Sequence, residues 1–132
     1  VEALHVAFAT DDGESFNDDH FGNARHFLVY RFSDDGEELL ETRENSEFRR
    51  DESRKPGDPA KARAMSKLLD GIDVLVSRKF GPNITRLLNK FVCVIVRTES
   101  IAAGLEIVRS HLDEVIAEKG KTEGRTHLAF RE

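Results

Sequence analysis

The sequence predicts an α/β domain: a five-stranded mixed sheet with helices on its faces. Three observations carry that expectation. Residues 3–9, ALHVAFA, alternate bulky and small side chains with little polarity on either face, as in a central strand covered on both sides. Asp34-Asp35-Gly36 separates an aromatic, β-branched run from a polar one, the signature of an antiparallel hairpin. Beyond Pro59, short apolar runs alternate with helical patterns, which requires parallel strands joined by right-handed crossovers.

Taken in order, the first strand ends at the turn sequence Thr10-Asp11-Asp12-Gly13, and loop residues continue to about Ala24. The second strand is HFLVYRF, residues 26–32. The third, Glu37 to Glu44, is acidic and belongs at a sheet edge, where charge discourages stray pairing. Residues 45–58 have neither period and end in Pro56-Gly57-Asp58, so they read as a charged loop. Asp58 is placed to cap a helix whose first position is Pro59, with Ala60, Ala64, Leu68 and Leu69 on one face and Gly71 at its end. IDVLVS, 72–77, is a buried strand. A second helix starts at Pro82, with Ile84, Leu87, Leu88 and Phe91 at helical spacing, and VCVIV, 92–96, is the fifth strand. A third helix carries Ile101, Leu105, Val108, Leu112 and Val115 as one apolar stripe and closes at Lys119-Gly120. The expected division is one domain over 1–118 and a polar tail over 119–132, in which Leu128 to Phe130 has the makings of a short extra strand.

The chain has 132 residues, enough to bury roughly two-thirds of its unfolded surface without a disulfide or metal staple. Its formal net charge of -5 disfavours general nucleic-acid binding. Cys93 is the sole cysteine, so thiolates of this chain alone build neither a zinc site nor an iron–sulfur cluster. A lone thiol fits the reducing cytosol, and the expected location is cytoplasmic. No apolar run approaches the roughly 20 residues that span a bilayer, and no basic-then-apolar leader opens the sequence.

In open α/β sheets, ligands gather at the carboxyl ends of parallel strands. The loops 10–25, 78–81 and 97–100 leave strands there. The first holds His20-Phe21-Gly22, Arg25 and His26; the second holds Arg78, Lys79 and Gly81-Pro82; the third begins with Arg97. Converging Arg, Lys and His points to an anionic ligand. The helix expected at Pro82 adds backbone N–H groups aimed at the same space. Asp11, Asp12, Asp18 and Asp19 allow another reading, a hard-cation site or partners for those arginines. Histidine serves either way, since neutral imidazole ligates iron or molybdenum and its cation pairs with an anion. His26, His5, His111 and His127 have no partner pattern, and Cys93 between valines reads as inert core.

The stretch Ala7 to Tyr30 resembles the dinitrogenase iron–molybdenum cofactor biosynthesis family, through Asp11 or Asp12 with Gly13, then His20-Phe21-Gly22-Asn23-Ala24-Arg25-His26-Phe27. Gly81-Pro82 after the DVLVS strand is similar to the family's second glycine-rich loop. The resemblance implies a three-layer, ribonuclease-H-like fold and a non-catalytic carrier that holds iron–molybdenum cofactor, or a related metal–sulfur cluster, during its biosynthesis. It implies that His20 is the metal-facing ligand and Gly22 a position where backbone approaches the cluster closely; taken with the cationic loops, the expected cofactor-contacting residues are His20, Phe21, Gly22, Arg25, Arg78, Lys79, Gly81 and Pro82. Cluster-assembly or acceptor proteins are the implied partners, with neither nucleic acid nor membrane. The sequence departs from the family at Arg78-Lys79-Phe80, where two glycines are usual, and in residues 45–58, which lack the family's frequent His or Cys.

Two other functions compete with the carrier. A ribonuclease-H-type nuclease needs carboxylates converging on two metal ions about 4 Å apart, and only Asp11 or Asp12 is suitably placed. A ligand-free regulatory or protein-interaction module would use the charged 45–58 loop as its contact surface.

Overall fold

A computed structural model describes residues 3–45 and 59–131. The strands are β1 (Leu4–Thr10), β2 (His26–Ser33), β3 (Gly36–Glu44), β4 (Val74–Ser77), β5 (Val92–Val96) and β6 (Leu128–Phe130). The helices are α1 (Pro59–Leu68), α2 (Ile84–Leu87), α3 (Ile101–Ser110) and α4 (Leu112–Lys119). The expected cap at Asp58 and the loop 46–58 lie outside the described residues. No described helix is long and apolar enough to cross a membrane.

One sheet runs in the order β3-β2-β1-β4-β5-β6. β1 pairs antiparallel with β2 from Leu4↔Phe32 to Thr10↔His26, and parallel with β4. β2 and β3 form the hairpin, with a bulge at Val29/Tyr30. The acidic third strand lies at an edge, as its charge predicts.

The two-residue period of β1 divides the core. Val6 and Phe8 join a cluster with Val94, Ile107 and Val115 under α3 and α4. Ala7 and Ala9 face the opposite cluster with Phe27, Met65, Leu69 and Leu87 under α1 and α2. The small alanines leave room on that face for the large Phe21 and Phe27. On α1 the buried face is centred on Met65 and Leu69, with Ala64 and Leu68 half-buried beside them.

Three expectations need correction. The sheet has six strands, not five: β6 pairs parallel with β5 through Val94↔Leu128 and Val96↔Phe130. Burial of Phe130 in the first core cluster holds this short strand. The third helix is two helices meeting at His111. Its Nδ1 lies 2.9 Å from the Ile107 carbonyl, and its ring stacks on Phe130 at 4.0 Å. The second helix spans only Ile84–Leu87, because the chain after it breaks into turns before Phe91.

Candidate functional site

The loop leaving β1 is shaped by its acids. Asp12 Oδ1 accepts the N–H groups of Glu14 and Ser15, both at 2.8 Å. These N–H donors hold its carboxyl below the ordinary aspartate range, because they stabilise the ionised form. Gly13 adopts φ +86°, a left-handed conformation that favours glycine, and its N–H donates to Thr10 Oγ1. Asp11 Oδ1 accepts the backbone N–H of Arg25 at 2.9 Å, tying the start of the loop to its end. Asp19 accepts the N–H of His20 at 2.7 Å, and this bond first, then the Asn23 amide, lowers its pKa. Asp11, Asp12 and Asp19 thus use oxygens to shape the loop itself. Among the described residues, no three His, Cys, Asp or Glu side chains gather as metal ligands.

Two buried asparagines brace the turn around His20. Asn17 Nδ2 donates to the carbonyls of Asp19 and His20 at 3.1 and 3.0 Å. Asn45 Nδ2 donates to those of Gly22 and Ala24 at 2.9 and 2.8 Å. Residues 21–23 make one 3₁₀ turn. Phe21 is fully buried and lies between Phe27 and Phe80, with ring centroids 4.8 and 5.3 Å away. Its N–H donates to the Lys79 carbonyl at 2.8 Å, which fastens the loop after β1 to the loop after β4.

That junction forms one wall of a cavity of about 720 Å³ at the carboxyl ends of β4 and β5. Its described lining is His20, Arg78, Lys79 and Phe80, then Ile95 to Glu99 of the third loop. The described lining holds Arg78, Lys79 and Arg97 together with His20 and the Glu99 carboxylate, and Asp19 beside the cavity also interacts with His20 and Lys79. Arg78 also approaches Asp18 at 3.6 Å, but Asp18 is 92% exposed, so the pair is weak and open to exchange. His20 rests on Gly81: a Cβ at that position would stand 2.8 Å from His20 Nδ1. Gly81 therefore leaves the space that the imidazole occupies.

The expected site residues thus divide. His20, Arg78 and Lys79 share the cavity, with Gly81 beneath the histidine. Phe21 supports it from below, and Gly22 contributes its carbonyl to the Asn45 brace. Arg25 is exposed beside Asp11, and neither it nor the exposed Pro82 belongs to the described lining. The expected helix N-terminus is not formed at Pro82; the helix starts at Ile84, whose N–H already donates to the Gly81 carbonyl. Thr98 and Glu99 entered the lining without a sequence signal, since each reads as an ordinary helix-entry residue. The two bracing asparagines were equally silent, because an amide's partners are set by tertiary contact. Cys93 is buried in β5, and burial pushes its thiol up to about 12, so it is an inert core group.

Comparison with known proteins places the chain in a family. The dinitrogenase iron-molybdenum cofactor family model matches residues 2–117. A crystal structure from Methanocaldococcus jannaschii, of a protein provisionally described as a dinitrogenase, superposes with a TM-score of 0.57. The two are 13% identical, over 86% of this chain and 91% of the other, a likeness of fold. No curated protein matches the chain. The span of the family match takes in both loops that meet at His20, and the chain belongs to the dinitrogenase iron-molybdenum cofactor family.

Proposed function

We propose that the protein is a non-catalytic carrier that takes a preassembled anionic metal–sulfur cluster, iron–molybdenum cofactor or a relative, into the His20 cavity during cluster biosynthesis. The observation that carries this reading is the convergence of His20, Arg78, Lys79 and Arg97 on one cavity at the carboxyl edge of the parallel strands. Its volume, about 720 Å³, suits a small-molecule ligand. The donor set is one imidazole among cations. Such a set suits a cluster that brings its own sulfur and has open positions at its metals, and it suits a bare ion poorly. Guanidinium and ammonium groups bind the cluster's negative charge, and the imidazole supplies one exchangeable bond. Exchangeability serves a carrier, which must also release its cargo. The strand order β3-β2-β1-β4-β5 supports the ribonuclease-H-like frame that the family resemblance implies.

Anaerobic titration with isolated iron–molybdenum cofactor, followed by visible absorption, tests the proposal. Wild-type protein is expected to bind saturably, and His20→Ala to bind about tenfold more weakly, the loss of one exchangeable ligand contact worth about 1.4 kcal/mol. Equal affinity in wild type and variant removes His20 from the site. No binding by either removes the carrier function.

A further inference from the structure

A second cationic hollow lies on the α1–α2 face. It measures about 1060 Å³ and is lined by Arg63, Ala64, Ser66 and Lys67 of α1, by Arg86 of α2, and by Asp70, Asn89 and Lys90 in the turns that follow. Arg63 and Lys67 are one helical turn apart, so both point the same way from α1. Arg86 and Lys90 line the same hollow. All four are exposed. Asp70 is the single acid among the described lining residues, in a chain whose formal net charge is -5. A local excess of positive charge against an acidic whole marks a surface selective for a compact negative partner.

The groove is also separate from the His20 cavity. Lys67 and Asp70 precede the amino end of β4, and Asn89 and Lys90 precede that of β5, whereas His20 and Arg97 lie at the carboxyl ends. Cargo in the cavity leaves the groove open.

We propose that this groove docks an acidic segment of a partner protein. The cations pair with its Asp and Glu side chains, Ser66 and Asn89 offer hydrogen bonds, and Ala64 with the aliphatic stems of Arg63 and Lys67 offers apolar contact. Charge decides among occupants. A nucleic acid or an anionic membrane presents an extended negative field, which the acidic remainder of this chain opposes; a short acidic segment meets only the groove. The proposal does not depend on the identity or presence of a cluster.

The test is fluorescence anisotropy with a labelled peptide of alternating Glu and Ala. Wild-type protein is expected to bind it saturably. The double variant Lys67→Glu/Lys90→Glu is expected to bind at least about tenfold more weakly, through two reversed charges at exposed positions. Lys79→Glu, at the other end of the strands, leaves peptide affinity unchanged. Raising ionic strength from about 0.1 M to about 1 M shortens the Debye length from about 10 to about 3 Å and should abolish binding. Failure of the wild type to bind, or equal affinity in the double variant, overturns the proposal. So does tighter binding of a single-stranded oligonucleotide or phosphatidylserine vesicles that depends on the same lysines.

Discussion

At His20 the arrangement depends on what the neighbouring residue lacks. The imidazole occupies the space of an absent Gly81 side chain, so Gly81→Ala forces the ring to swing away. Cofactor affinity in Gly81→Ala is expected to fall about as far as in His20→Ala, with little further loss in the double variant. Such non-additivity identifies residues acting through one contact, and a double-mutant cycle of titrations measures it. Additive losses would mean that the glycine acts elsewhere. Sequence showed the residue types here but not their partners. The run Asp11, Asp12, Asp18, Asp19 reads equally as a cation site or a set of turn caps, because a carboxylate's role depends on the nearest donor. In the fold, backbone N–H groups of Glu14, Ser15, His20 and Arg25 donate to Asp12, Asp19 and Asp11, so these carboxylates cap the loop's turns.

Among the elements, the site loop is clamped from outside as well as from within. Phe16 donates its N–H to the Glu99 carbonyl at 2.8 Å, and its ring packs on Gly104 of α3. A Cβ at Gly104 would stand 2.5 Å from Phe16 Cζ in a closed core. Gly104→Ala is therefore expected to destabilise the fold by about 1–3 kcal/mol, the usual cost of overpacking, read from the denaturation midpoint. An unchanged midpoint would show that Phe16 moves freely and clamps nothing. The strands were legible because a two-residue period and turn residues are local signals: β1, β2, β3, β4 and β5 fall close to where they read. The break at His111 was not. The apolar stripe from Ile101 to Val115 continues across it in sequence, while His111 at the break stacks on Phe130, a contact between distant residues that sequence does not display. Leu128 to Phe130 already reads as the makings of a short strand, but its partner does not: its parallel pairing with β5 is a tertiary contact that sequence does not display.

The whole molecule is an acidic frame holding positive charge at chosen places. Its last strand connects stability to the site: the Arg97 N–H donates to the Phe130 carbonyl at 3.1 Å, so β6 fixes the third loop. Phe130→Ala removes a buried ring and the stack with His111, and should cost about 3 kcal/mol by chemical denaturation while weakening cluster binding. Stability that does not change would make β6 an ornament of the sheet. The same terminal segment carries a pH dependence. Glu118 is buried, which on its own raises its pKa, but Lys121 and the Thr126 N–H outweigh burial and hold it below the ordinary range. A folded value below the unfolded one means that its stabilisation is present above the unfolded pKa, about 4.3. It is lost as pH falls through the folded value. Glu118→Gln is therefore expected to lower stability at neutral pH and to flatten the acid limb of the denaturation profile. Parallel acid limbs for wild type and variant would exclude Glu118 as the group responsible. The central claim concerns where the cluster goes, and anomalous X-ray diffraction from crystals grown with iron–molybdenum cofactor without oxygen locates it directly. Iron and molybdenum peaks between His20, Arg78 and Arg97 are the predicted result; peaks in the α1–α2 groove, or on the surface away from His20, would contradict it.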